Sequence, residues 1–201
     1  SARCDFSNPD SRGYTMHTNT LYFSVIKVIA VTGLILGGLP VSAENWPQWR
    51  GPEGTSLAKT GDYPVTFTDS ENVLWKAKLP GKGSSTPAVW GDRIFVTSGN
   101  NGLDGIQAYN WKGERLWEKT LGPERPGKHK NGSGSNPSPI TDGNSVYVYY
   151  KSGTVASLSM AGALNWKINL QEIYGKDTLW WDLGTSPVFA GGNIVIAVMQ
   201  E

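Results

Sequence analysis

The chain has 201 residues, with 18 Lys and Arg against 17 Asp and Glu, a formal net charge of +1, 25 glycines and nine tryptophans. Low charge density with many aromatics describes a packed globular chain rather than a disordered one. Near-neutrality without charge runs excludes a basic nucleic-acid surface or an acidic tail.

In chain order, residues 1–15 read as an upstream, non-native extension, because the first methionine is Met16. Residues 16–43 read as a signal peptide. Lys27 precedes the apolar run Val28 to Leu39, which is too short to span a bilayer as a helix. Val41-Ser42-Ala43 then supplies the small-residue spacing of a cleavage site, with Glu44 as the first mature residue. The rival reading is an uncleaved anchor. Cleavage predicts export to the periplasm or beyond, with no membrane-spanning segment afterwards. The single cysteine, Cys4, lies upstream of Met16, so the mature part has neither a disulfide framework nor a lipid-anchor cysteine.

Residues 44–71 form a lead-in rich in proline and glycine, and residues 72–201 read as all-β. Within Asn72 to Leu79 the alternation of Val73, Leu74, Trp75 and Lys76 predicts a strand. One four-stranded unit is expected over residues 84–121, with strands at Pro87 to Trp90, Arg93 to Thr97, Ile106 to Asn110 and Arg115 to Thr120. Gly99 to Gly105 is expected as a loop between its middle strands. A second unit spans residues 136–170, and a third starts at 185 and stops incomplete at 201. No segment carries a sustained helical period.

These units repeat. Ile106 to Trp117 recurs 49 positions later as Val155 to Trp166, each an alternating strand, a glycine turn and a closing tryptophan. Ser85-Thr86-Pro87, Ser138-Pro139 and Ser186-Pro187 recur in step, each ahead of a turn at Gly91-Asp92, Asp142-Gly143-Asn144 or Gly191-Gly192-Asn193. A period near fifty residues made of short strands is the mark of a β-propeller blade. The fold class is therefore all-β: a partial propeller of four-stranded blades, about two complete and parts of two others. The chain reads as an N-terminal fragment of a larger ring.

Because they sit in repeat positions, Trp75, Trp117 and Trp166 are expected to dock one blade on the next. Trp46-Pro47-Gln48-Trp49-Arg50-Gly51-Pro52 is unrepeated. It is expected either to close the ring or to set Trp49 and Arg50 at a ligand, through the common stacking of arginine on an aromatic ring. Ser84 to Thr86, Asn136, Ser138, Thr185 and Ser186 begin the inner strands. They could bind water, an ion or a quinone, or satisfy exposed strand ends. Function is expected on two unrepeated loops, Gly122 to Asn136 and Gln171 to Gly184. The second holds the one acidic and aromatic cluster, Asp177, Trp181 and Asp182. His129 reads as a solvated loop residue, as does the basic stretch from Arg125 to Lys130. No nucleophile–base pair, phosphate loop or metal motif is present, so no catalytic or metal residue is assigned.

The repeat resembles that of pyrroloquinoline-quinone-type propellers, on Val155-Ala156-Ser157-Leu158 with Gly162 and Trp166, and on Ile106 to Trp117. The opening WPQWRGP and Pro80-Gly81-Lys82-Gly83-Ser84-Ser85-Thr86-Pro87 are similar to exported bacterial quinoprotein-like propellers, including the outer-membrane-assembly group. The resemblance covers about Trp46 to Gln200. It implies one of two roles. The first is an exported binding or scaffold module, with protein partners at the inter-blade loops and no catalysis in this piece. The second is a quinone-dependent alcohol or sugar dehydrogenase using pyrroloquinoline quinone with calcium, its site residues lying in later blades. For the second, Arg50, Trp181 and Asp182 are the cofactor-binding candidates. The cysteine pair of many alcohol-oxidising members has no counterpart in the mature part.

Overall fold

In the computed structural model, residues 44–178 and 180–198 are described. The extension expected at 1–15 and the signal peptide expected at 16–43 lie outside the described residues. Strands β1 (Ala88–Trp90), β2 (Arg93–Asn100), β3 (Leu103–Tyr109) and β4 (Arg115–Pro123) form one antiparallel sheet in that order. Strands β5 (Ile140–Thr141), β6 (Ser145–Tyr149), β7 (Thr154–Ser159) and β8 (Leu164–Asn169) form a second, and β9 (Val188–Ala190) pairs with β10 (Asn193–Val195). The fold is all-β, with successive antiparallel sheets as in a partial propeller.

Successive side chains on a strand point to opposite faces, and both faces of the second sheet meet neighbours. Val146, Val148, Ala156 and Leu158 pack on Ala88, Phe95, Ile106 and Ala108 of the first sheet. Tyr149 and Val155 face the other way, against Leu170 and Leu183 with Ile196 and Val198. This is why Val146 to Tyr150 reads as an unbroken apolar run rather than an alternating one.

The repeated tryptophans close the seams. The Trp117 indole N–H donates to the Met160 carbonyl at 3.0 Å, and its ring lies under Gly162, where an added Cβ would meet Cδ2 at 2.7 Å. Trp75 does the same one blade earlier, donating to the Trp111 carbonyl at 2.8 Å beneath Gly113. Both glycines have positive φ, +79° and +86°, so conformation and space alike require them. Trp166 occupies the same repeat position but remains 42% exposed. It borders a cavity of about 450 Å³ with Ile168, Tyr174, Ile194 and Ile196.

Two further devices tie the sheets together at equivalent positions. The Thr86 N–H donates to Ser138 Oγ and the Ser138 N–H to Ser186 Oγ, both at 2.9 Å. For Ser138 and Ser186, then, the hydroxyls satisfy strand starts. The unrepeated opening motif crosses all three sheets two residues beyond the repeated prolines. Trp46 exchanges two backbone hydrogen bonds with Val89, Thr141 N–H donates to the Pro47 carbonyl, and Phe189 N–H donates to Gln48 Oε1. Three consecutive residues thus clasp the first strands of three sheets.

Three expectations need correction. Asn72 to Leu79 makes no ladder, so Trp75 docks from an extended segment rather than a strand. Gly99 to Gly105 is not a loop. Asn100 pairs with Leu103, and only Asn101-Gly102 turns, with φ of +51° and +77°. Two successive positive-φ residues suit the right-handed twist of a tight hairpin. A five-residue helix α1 (Leu170–Tyr174) follows β8, started by Asn169, whose side chain accepts from Gln171 N and Glu172 N.

Candidate functional site: the loop junction

The loop after helix α1 lies against the preceding inter-blade loop, and one carboxylate holds the two together. Asp182 Oδ1 accepts from the Lys128 N–H at 2.7 Å, and Oδ2 accepts from the His129 N–H at 2.9 Å. Oδ1 also pairs with the Lys151 ammonium, which donates in addition to the Pro126 carbonyl at 3.0 Å. Lys151 is 1% exposed, so this is a desolvated pair on the β6–β7 turn. Burial alone would raise the Asp182 carboxyl. The Lys151 ammonium and the two backbone N–H groups outweigh it and hold the group down at about 2. Gly132 is needed here because a Cβ would run into Asp182 Oδ2.

Further bonds knit the same two loops. Arg125 reaches Asp177 through Nη1 to Oδ2 at 3.4 Å and Nη2 to the carbonyl at 3.0 Å. Asn136 Nδ2 donates to the Leu183 carbonyl at 3.2 Å. Over this frame Trp180 and Trp181 are 78% and 54% exposed. With Lys128, His129 and Asp182 they line a recess of about 480 Å³.

The residue after Lys151 on the same turn, Ser152, holds a second carboxylate. Asp104, fully buried at the start of β3, accepts from Ser152 Oγ at 2.5 Å. Its Oδ1 has no partner among the described residues. Burial pushes the Asp104 carboxyl up to about 7; the Ser152 bond opposes this, and Glu124 adds to it. Tyr150, also fully buried, donates its hydroxyl to the Gly105 carbonyl at 3.0 Å. Its phenol is pushed well up by burial and then by the Asp104 charge.

Of the sequence candidates, Trp181 and Asp182 come together at the recess. Arg50 does not join them: its guanidinium sits 5.7 Å from the Trp49 ring centroid and donates to Ser56 Oγ at 3.2 Å. The three quinone candidates therefore do not converge. Asp182 makes a poor calcium ligand as placed, since N–H donors occupy both of its oxygens, and no three acidic or histidine side chains gather among the described residues. Sequence reasoning missed Lys151, Asp104 and Ser152. Their pairings cross from blade to blade, and no local motif marks them.

A family model described as outer membrane protein assembly factor BamB matches residues 50–201. The chain belongs to that family. Its blades are of the pyrroloquinoline-quinone repeat type. Among solved structures, the crystal structure of quinohemoprotein alcohol dehydrogenase from Comamonas testosteroni is similar over 58% of this chain and 17% of that one, with 17% identity and a TM-score of 0.39. The chain thus spans less than a fifth of that enzyme. No curated protein matches the sequence. Among the described residues no helix is long and apolar enough to cross a membrane.

Proposed function

We propose that this protein is an exported propeller that binds other proteins through the surface made by loops 122–136 and 171–184, following cleavage of a signal at 16–43. In this reading residues 72–201 belong to one ring, and the chain works as a binding or scaffold module of the cell envelope rather than as a catalyst. The observation that carries it is the Asp182 junction. A buried ion pair and five cross-loop hydrogen bonds make one rigid surface of two loops, with exposed indoles above it. Rigid aromatic anchors on a polar frame are the composition of protein-binding hot spots. Membership of a family described as an outer membrane assembly factor fits such a module.

The test places a photo-cross-linking amino acid at Trp180, or at Lys119 on exposed strand β4, in cells producing the full-length protein. Discrete adducts, identified by mass spectrometry, are expected from position 180 and not from 119. Equal adducts at both positions, or none, would remove the contact-face reading. Calcium-dependent dye reduction after loading with pyrroloquinoline quinone would replace it with the dehydrogenase.

A further inference from the structure

We infer that the recess under Trp180 and Trp181 takes a proline-rich segment of a partner protein in the polyproline II conformation. This deepens the contact-face reading and rests on it. The hydrogen-bonding groups that the recess has left to offer select the ligand. Its side-chain acceptors, the Asp182 carboxylate and His129 Nδ1, are already in use. Both Asp182 oxygens are occupied by three N–H groups. The neighbouring carbonyls of Pro126, His129 and Lys130 accept from Lys151 Nζ, Gly132 N and Lys82 Nζ.

What remains is donors and ring faces. Neither the Trp180 nor the Trp181 indole N–H has a partner among the described residues, and an indole nitrogen only donates. His129 Nδ1 accepts from the Asn131 N–H at 3.2 Å, which puts the ring proton on Nε2 as a further donor. A matching ligand brings flat apolar surface and acceptors but few donors of its own. A polyproline segment does this at every residue, offering a pyrrolidine ring and a carbonyl with no N–H. Its fixed backbone also costs little entropy to dock on aromatic side chains. A sugar matches less well, because its hydroxyl protons would find no open side-chain acceptor here.

The experiment titrates decaproline into the full chain, uniformly labelled with nitrogen-15, and follows the indole N–H signals by NMR. The two signals are assigned from spectra of Trp180→Ala and Trp181→Phe. The expected result is saturable shifts of both signals, with Trp180→Ala weakening binding about tenfold and Trp49→Ala leaving it unchanged. Trp180 is exposed, so its loss should spare the fold. Three results would overturn the inference: no shift at millimolar peptide, shifts of equal affinity in Trp180→Ala, or movement of these signals by pyrroloquinoline quinone or cellohexaose but not by decaproline. Any of them removes the proline assignment alone. The cross-linking result does not depend on the partner's chemistry and judges the contact face separately.

Discussion

The turn between β6 and β7 gives consecutive residues to two carboxylates, Lys151 to Asp182 and Ser152 to Asp104. Both acids are withdrawn from water, yet one is held down at about 2 and the other pushed up to about 7. The difference lies in their partners. Asp182 receives a cation and two backbone N–H groups, which repay its desolvation. Asp104 has only neutral hydroxyls to help it, Ser152 and more weakly Thr154, faces the like charge of Glu124 and leaves one oxygen unpartnered. Burial alone therefore says little about a carboxylate. Donors supplied from the neighbouring blade decide whether it is a rivet or a weak point.

The largest effect should come from breaking the rivet on one side. Lys151→Met leaves the Asp182 charge without its cation, and Asp182→Ala strands a buried ammonium. Each should cost about 3–5 kcal/mol in urea unfolding. The double variant Lys151→Met/Asp182→Leu should recover most of that loss, because a buried pair replaced by apolar side chains is often near neutral. Single variants costing under about 1 kcal/mol would mean that the junction is wet and the surface above it is not rigid.

The opposite shifts also predict opposite pH dependences. Asp104 has a folded pKa above its unfolded one, so the folded state holds the extra proton between about pH 4 and 7. Its contribution to stability is then lost as pH rises through that window, at about 1.4 kcal/mol per pH unit. Asp182 has a depressed folded pKa. Its contribution is fully present above about pH 4 and is lost as pH falls towards 2. Urea midpoints from pH 2 to 8 should show both limbs. Asp104→Asn should flatten only the upper one, and an unchanged upper limb in that variant would place the titrating group elsewhere.

How much of this could be read from the chain depended on whether a feature repeats. Trp117 and Trp166 stand 49 residues apart beside equivalent glycine turns, so the seam chemistry was written twice, and Ser138 and Ser186 followed the same logic. The hairpin at Asn101-Gly102 carried its own turn signal but was obscured by flanking glycines, which enter the ladder because nothing bulky can sit where they pair. Helix α1 was too short to show a period, although Asn169 followed by Glu172 is a start signal in itself. Trp181 and Asp182 were found as a cluster because their loop is unrepeated. Lys151 and Asp104 were not, since a lysine ending an apolar strand and an aspartate beside glycines are ordinary turn residues until a neighbouring blade buries them.

The smallest expected effect isolates the source of the upper pH limb. Tyr150 is another buried titratable group at this seam. Its hydroxyl donates to the Gly105 carbonyl, one residue along the chain from Asp104. Tyr150→Phe removes one neutral hydrogen bond, and Gly105 keeps its ladder pairing with Ser98 and Thr120. The cost should be about 1 kcal/mol, roughly equal at every pH below 8, because a phenol raised above its ordinary value stays protonated throughout. A parallel downward displacement of the whole profile is thus expected, with the upper limb keeping its slope. If Tyr150→Phe flattened that limb as Asp104→Asn should, the two groups would be titrating as one coupled network, and the neutral hydroxyls of Ser152 and Thr154 would no longer explain why Asp104 parts company with Asp182.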